Sequence, residues 1–185
     1  MSKSSQFFEY EEPKMFDEVP VVGKTYKFGD WQLYAVHDEQ QILGFFGDYR
    51  WLSNFHECPV FFEGMKFPSS ENAYQAAKVD QDYRHHFQTC SPRESKNLWK
   101  TFPRIDISEK DWFVRKYDVM SVIVFDKMYR NLHLRKQLLE TGDKFLEERN
   151  HWGDTCWGFD VKKKEGTNWL GRILMSTRDF WKEKP

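Results

Sequence analysis

Between Ser108 and Asn131 the chain carries Trp112, Phe113, Val114, Tyr117, Val119, Met120, Val122, Ile123, Val124, Phe125, Met128 and Tyr129. No other stretch commits so much apolar surface at once. Ser108 is a fitting N-cap, and Glu109 and Asp111 place carboxylates in the first turn, where they complement the helix dipole. A helix that is apolar nearly all round is a buried one. The expectation is therefore a central helix with shorter elements packed about it. A chain of 185 residues is long enough to bury such a helix within one domain.

The elements around it are short. Pro59–Phe62 and Met65–Phe67, separated by Glu63-Gly64, predict a β-hairpin, and Tyr26–Val36 predicts another around Gly29-Asp30. Ile42–Phe46 reads as a strand, and Gly47–Phe55 as an irregular loop of the kind that often carries function. Ser91-Pro92-Arg93-Glu94 is a capping box with proline at the first helical position, opening a helix that ends near Lys100. Asn131 caps a further helix that Gly142 stops. Phe145–Glu147 reads as a short strand and 149–167 as loop. Asn168 caps a last helix reaching about Trp181. Residues 1–20 are polar and acidic and read as a loose arm. The fold class expected is mainly α, of the α+β kind: residues 21–185 form one compact multihelical domain with a small N-terminal β-hairpin element.

The most suggestive chemistry lies in Pro68-Ser-Ser-Glu71-Asn-Ala-Tyr-Gln75-Ala-Ala-Lys78. Ser69 or Ser70 can cap a helix running from Ser70 to about Asp80. Glu71, Gln75 and Lys78 are then spaced by four and three and share one face. A carboxylate, an amide and an amine projecting together form a candidate reactive wall; equally, Glu71 can simply serve the helix dipole and Lys78 be solvated. Trp112 opens the long helix and could stack on a flat group. Asp154-Thr-Cys-Trp157-Gly158 could form one wall for a base, or Asp154 could make an Asx turn with Trp157 as anchor. Asn168 stands at a helix N-terminus, where it can cap or help to hold a phosphate. Gly171, inside a helix, costs about 1 kcal/mol relative to alanine and suggests a close approach by a backbone or a ligand.

Composition excludes several classes. The net charge of −1 implies no strong attraction to nucleic acid or to anionic membrane. The three cysteines, Cys58, Cys90 and Cys156, are widely spaced and suggest neither a disulfide framework nor a zinc site. No signal-length or membrane-length apolar run occurs, so the expected location is cytoplasmic. No phosphate-binding loop, dinucleotide fingerprint or His-Glu-x-x-His motif is present. Eight tryptophans exceed what a core of this size needs, and some should line a pocket for flat groups.

Leu52-Ser-Asn-Phe55, Glu63-Gly64, Pro68–Glu71 with Gln75–Lys78, Asp111-Trp112, Val119-Met120, Leu139–Gly142, Glu147, Asp154 with Trp157-Gly158, and Gly166–Gly171 with Leu174-Met175 and Arg178 stand in the order seen in the NADAR family, the YbiA-like N-glycosidases. The resemblance covers about residues 44–180. It implies a compact, mainly helical fold and hydrolysis of N-glycosidic bonds at a ribose, without cofactor or metal. Family members act on phosphoribosylated riboflavin intermediates or remove ADP-ribose from guanine, and some are paired with an ADP-ribosyltransferase toxin. Carried onto this chain, the resemblance implies Glu71, Lys78 and Asp154 as catalytic residues. Asn54, Phe55, Gln75, Trp112, Trp157, Gly158 and Asn168 then contact substrate. The stretch Asn150–Asp154 and residues 159–165, with three lysines, depart from the family pattern, and substrate choice is what they affect.

Three functions therefore compete. The first removes ADP-ribose from ADP-ribosylated guanine in nucleic acid or nucleotides. The second applies the same chemistry to riboflavin intermediates. The third is a non-catalytic ADP-ribose or NAD-binding module, against which the presence of both Glu71 and Lys78 argues.

Overall fold

The computed structural model describes residues 35–184. The expected arm at 1–20 and the hairpin around Gly29-Asp30 lie outside them. β1 (Val36–His37) pairs antiparallel with β2 (Gln41–Leu43), which pairs parallel with β5 (Phe145–Glu147). The hairpin of β3 (Glu57–Phe62) and β4 (Met65–Ser69) forms as expected, with Glu63 and Gly64 both at positive φ in the turn. The helices are α1 (Ser70–Ala76), α2 (Pro92–Leu98), α3 (Glu109–Arg130), α4 (Leu132–Glu140) and α5 (Trp169–Lys182). This is an α+β fold with small sheets and five α-helices among the described residues.

Several local expectations hold in detail. Ser69 caps α1 by accepting from the Asn72 amide, the Ser91–Glu94 capping box is complete, and Ser108 caps α3. Others are corrected. α3 is the longest helix, but it is not buried all round. Val119, Met120, Ile123, Val124, Lys127 and Met128 form its buried stripe, whereas Phe113 and Val114 are 60% and 63% exposed. The elements packed on it (α1, α4, α5 and β3) cover only one side. At the edge of the α5 contact, Phe125 and Tyr129 stack on Trp181.

α1 ends at Ala76, short of the expected Asp80. The chain beyond it is taken by another strand-like segment: the Lys78 carbonyl accepts from Ile105, and the Asp80 amide donates to the Pro103 carbonyl. A 3-10 segment, Gln81–Gln88, follows. Gly47–Leu52 is likewise a 3-10 turn within the expected loop. The expected loop of 149–167 contains two short strands, β6 (Arg149–Asn150) and β7 (Phe159–Asp160), paired in parallel. Asn131 does not cap α4 with its side chain; its amide donates to the Pro59 and Lys127 carbonyls and ties α3 to β3.

Asn168 is corrected in the same way. It adopts a left-handed conformation with φ of 51° and makes no side-chain cap. Its amide accepts from the Glu148 N–H at 3.0 Å and donates to the Leu146 carbonyl at 2.8 Å. The close approach suggested by Gly171 is real: a Cβ there would stand 2.1 Å from the Leu146 carbonyl oxygen. Glycine lets α5 lie directly on β5, where Leu146 is fully buried and Glu148 follows it.

Candidate active site

α1 presents one side chain per turn to the site. Glu71, 7% exposed, sits in the first turn, and its amide donates to the Asn54 carbonyl at 3.0 Å. Gln75 donates through Nε2 to Glu71 Oε1 at 2.7 Å and accepts through Oε1 from Lys78 Nζ, also at 2.7 Å. The expected carboxylate–amide–amine wall therefore exists as a continuous hydrogen-bonded chain. It survives the early end of α1 because Lys78 occupies the turn that follows, with its amide bonded to the Gln75 carbonyl.

Aromatic rings enclose the chain. The Lys78 ammonium lies 4.5 Å from the Tyr74 ring centre and 4.9 Å from that of Trp99. Tyr74 in turn meets Trp157 edge-on at 5.3 Å and Trp112 at 6.1 Å. Such walls exclude water, and desolvation penalises whichever form is charged. Burial pushes the Lys78 amine down to about 8, against the opposing pull of Glu71. Burial raises the Glu71 carboxyl, with the Gln75 hydrogen bond and Lys96 and Lys78 acting the other way.

The loops complete the enclosure. Asp154 Oδ1 accepts from the Cys156 and Trp157 amides, an Asx turn that fixes the Trp157 backbone. The same carboxylate acts electrostatically on Glu71 and Lys78. Asn54 is buried, with its Nδ2 3.3 Å from Met120 Sδ. Its Oδ1 is buried without a hydrogen-bond partner among the described residues. A buried acceptor of this kind is what a substrate hydroxyl or amine can satisfy.

Phe55 lies at the junction of two cavities. One, narrow, is lined by Phe45, Phe55, Lys96, Glu148 and Trp152 among others. The second, about 440 Å³, is lined by Arg50, Phe55, His56, Glu57, Ser91, Pro92 and Arg93. Arg50 lines both. Lys96 projects over the Phe55 and Trp152 rings at 5.5 and 5.6 Å.

The structure thus gathers Glu71, Gln75, Lys78, Trp112, Asp154 and Trp157 about Tyr74, with Asn54 and Phe55 on the adjoining turn. Gly158 and Asn168 serve the scaffold instead. A Cβ on Gly158 would stand 2.5 Å from the Glu148 carbonyl oxygen, and the Asn168 amide is held by residues 146 and 148. Two charged residues escaped the sequence reading. Lys127 is 1% exposed and donates to the Trp51 carbonyl at 2.7 Å and the Ser53 carbonyl at 2.9 Å. Glu148 lines the narrow cavity, whereas Glu147, the residue singled out from the sequence, is half-buried and paired with Arg149 at 2.8 Å. Both had a legible signal. Lys127 falls seven residues after Met120, on the same helical stripe, and Glu148 follows Leu146 at strand period two.

The family model of the NADAR domain matches residues 39–181. A riboflavin biosynthesis protein of Vibrio vulnificus is 36% identical over 133 residues, 71% of this chain. The match spans only 35% of that longer protein. The N-glycosidase YbiA of Escherichia coli is 31% identical over 146 residues, covering 76% of this chain and 89% of YbiA. The NMR structure of E. coli YbiA superposes with a TM-score of 0.67 at 27% identity, covering 81% of this chain and 89% of that one.

Proposed function

The chain belongs to the NADAR domain family, and on that premise we propose that it is an N-glycosidase that cleaves ADP-ribose from an ADP-ribosylated guanine. The observation that carries this reading is the buried Glu71–Gln75–Lys78 chain under a canopy of aromatic rings. Cleavage of a bond between ribose C1 and nitrogen needs an electron-rich group for the carbon and a route for protons. Burial brings the Lys78 amine down to about 8, so that a fraction of it is neutral at physiological pH and serves as a nucleophile. When a ribose linked to an exocyclic amine opens to its imine, the lysine nitrogen adds to C1, the amine departs, and water hydrolyses the lysine Schiff base. Glu71 takes the proton that the lysine nitrogen gives up as it adds to C1, and Gln75 keeps the two groups in register. Trp112 and Trp157 stack on flat groups, and the Asn54 Oδ1 accepts from a ribose hydroxyl.

The 440 Å³ cavity bearing Arg50 and Arg93 favours a substrate with phosphates beyond the reacting ribose. A second reading, action on a phosphoribosylated riboflavin intermediate, is favoured by the name of the Vibrio relative. The two are separated by offering ADP-ribosylated guanosine, an oligonucleotide bearing the same mark and a phosphoribosylated riboflavin intermediate. Release of ADP-ribose from the guanine substrates supports the first reading; turnover of the riboflavin intermediate alone replaces it with the second. Pairing with an ADP-ribosyltransferase toxin would follow from the first reading only. No helix among the described residues is long and apolar enough to cross a membrane.

A further inference from the structure

We propose that Glu148 is a second catalytic carboxyl of this site, the acid that protonates the departing nitrogen. The inference rests on the N-glycosidase reading and deepens it. Glu148 follows β5, and its backbone is fixed on both sides. Its N–H donates to Asn168 Oδ1 at 3.0 Å, and its carbonyl accepts from the Phe159 N–H at 2.7 Å. Gly158 leaves the room for that carbonyl. The fold therefore spends an asparagine, a glycine and the α5–β5 contact on placing one residue. Yet the carboxyl itself accepts no hydrogen bond from any described residue. It lines the cavity shared with Phe55, Lys96 and Trp152, within electrostatic reach of Glu71.

The charged groups that face it come from every element around it: Glu71 on α1, Lys96 on α2, Lys127 on α3, and Asp154 in the loop after β6. Arg50 and Arg149 line the same cavity. Burial comes first among the influences, with Asp154 and Glu71 adding to it, and together they push the Glu148 carboxyl up to about 8. It holds its proton at neutrality. Glu71 is anchored to a donor, Gln75 Nε2, whereas no described residue donates to the Glu148 carboxyl. Two carboxyls with unlike surroundings take unlike roles.

The step balances. In the adduct of Lys78 with ribose C1, the bond from C1 to the leaving nitrogen breaks and its electron pair goes to that nitrogen, which takes the Glu148 proton. The Lys78 nitrogen lone pair forms the C1=N bond. Water then adds at C1, the Schiff base is hydrolysed, and the proton released returns to Glu148.

The test compares wild type, Glu148→Gln and Glu148→Asp on two phosphoribosyl N-aryl amines, one of aniline and one of para-nitroaniline. The nitroaniline departs with little help from an acid. Glu148→Gln should lose about 100-fold or more in kcat on the aniline compound, the usual scale of general acid catalysis, and less than about 5-fold on the nitroaniline compound. Glu148→Asp should recover part of the loss, and Glu148→Gln should lose the alkaline limb of the pH–rate profile. Equal losses on both compounds, or a Glu148→Gln enzyme that keeps the alkaline limb, overturn the acid role while leaving the N-glycosidase reading standing. A folded wild type that cleaves neither compound nor any ribosylated guanine overturns both. Infrared spectroscopy gives a readout without turnover: a protonated-carboxyl band present at neutral pH in wild type and missing in Glu148→Gln is expected, and its absence from wild type overturns the proposal.

Discussion

Lys78 Nζ donates to Gln75 Oε1 at 2.7 Å, although Lys78 lies beyond the last residue of α1. The contact fixes the polarity of the amide. With Oε1 turned to the amine, Nε2 must face Glu71, and that carboxyl oxygen is an acceptor. Replacing Gln75 by leucine removes both bonds and leaves a buried carboxyl and amine unpartnered. We expect kcat to fall by about 100-fold and stability by about 1–3 kcal/mol, measured by steady-state turnover and urea unfolding. Unchanged kcat in the folded variant would separate the chain from catalysis.

The Lys78 amine, lowered to about 8, sets a pH dependence for covalent capture. Borohydride trapping of ADP-ribose on Lys78 should rise as pH passes through about 8, because the neutral amine is the nucleophile. Glu71 pulls that value upward, so Glu71→Gln should move the midpoint to lower pH. Mass spectrometry of the trapped peptide checks both statements. An adduct on another lysine would remove Lys78 from the reaction.

Lys127 holds the Trp51 and Ser53 carbonyls, and the next residue, Asn54, receives the Glu71 amide. Lys127→Met should raise KM and destabilise the fold by about 1–3 kcal/mol, since two buried acceptors lose their donor. The size of that loss depends on pH. Burial lowers the Lys127 amine from 10.5 to about 8, so between these values the unfolded chain binds more protons than the folded one. Stability therefore rises with pH across that window in wild type, with Lys78 adding in the same direction. Lys127→Met loses its share of that rise, so its deficit should grow towards pH 10.5. Urea midpoints taken across the window test this; a deficit that shrinks contradicts it.

Gly171 to alanine should destabilise, although alanine is the better helix former by about 1 kcal/mol. The added Cβ meets the Leu146 carbonyl at 2.1 Å and the Asn168 amide at 2.5 Å. Neither is the loose end of a flexible chain. Overpacking of about 1–3 kcal/mol outweighs the propensity gain, and displacement of residues 146–148 should lower turnover as well. A more stable Gly171→Ala protein would show that α5 does not rest on β5 in this way.

The sequence by itself determined what is local. Ser69, Ser91 and Ser108 announced three helix starts, Glu63-Gly64 announced a turn, and the four-and-three spacing of Glu71, Gln75 and Lys78 put them on one face. Caps and turns depend on neighbours a few residues away, so a pattern can be read for them without knowing the rest of the chain. Even the early end of α1 left that face intact, because one further turn carries Lys78 to the same side. Tertiary structure decided what is distant. Whether α3 was buried all round depended on how many elements came to cover it, and only one side was covered. Asn168 offered a cap on the sequence alone, but Leu146 in β5 and Glu148 just after it claimed its side-chain amide. Spacing puts Lys127 on the stripe of Met120 and Glu148 two residues after Leu146. How much water packing removes from around them is set by elements far off in the chain, and spacing alone does not give it.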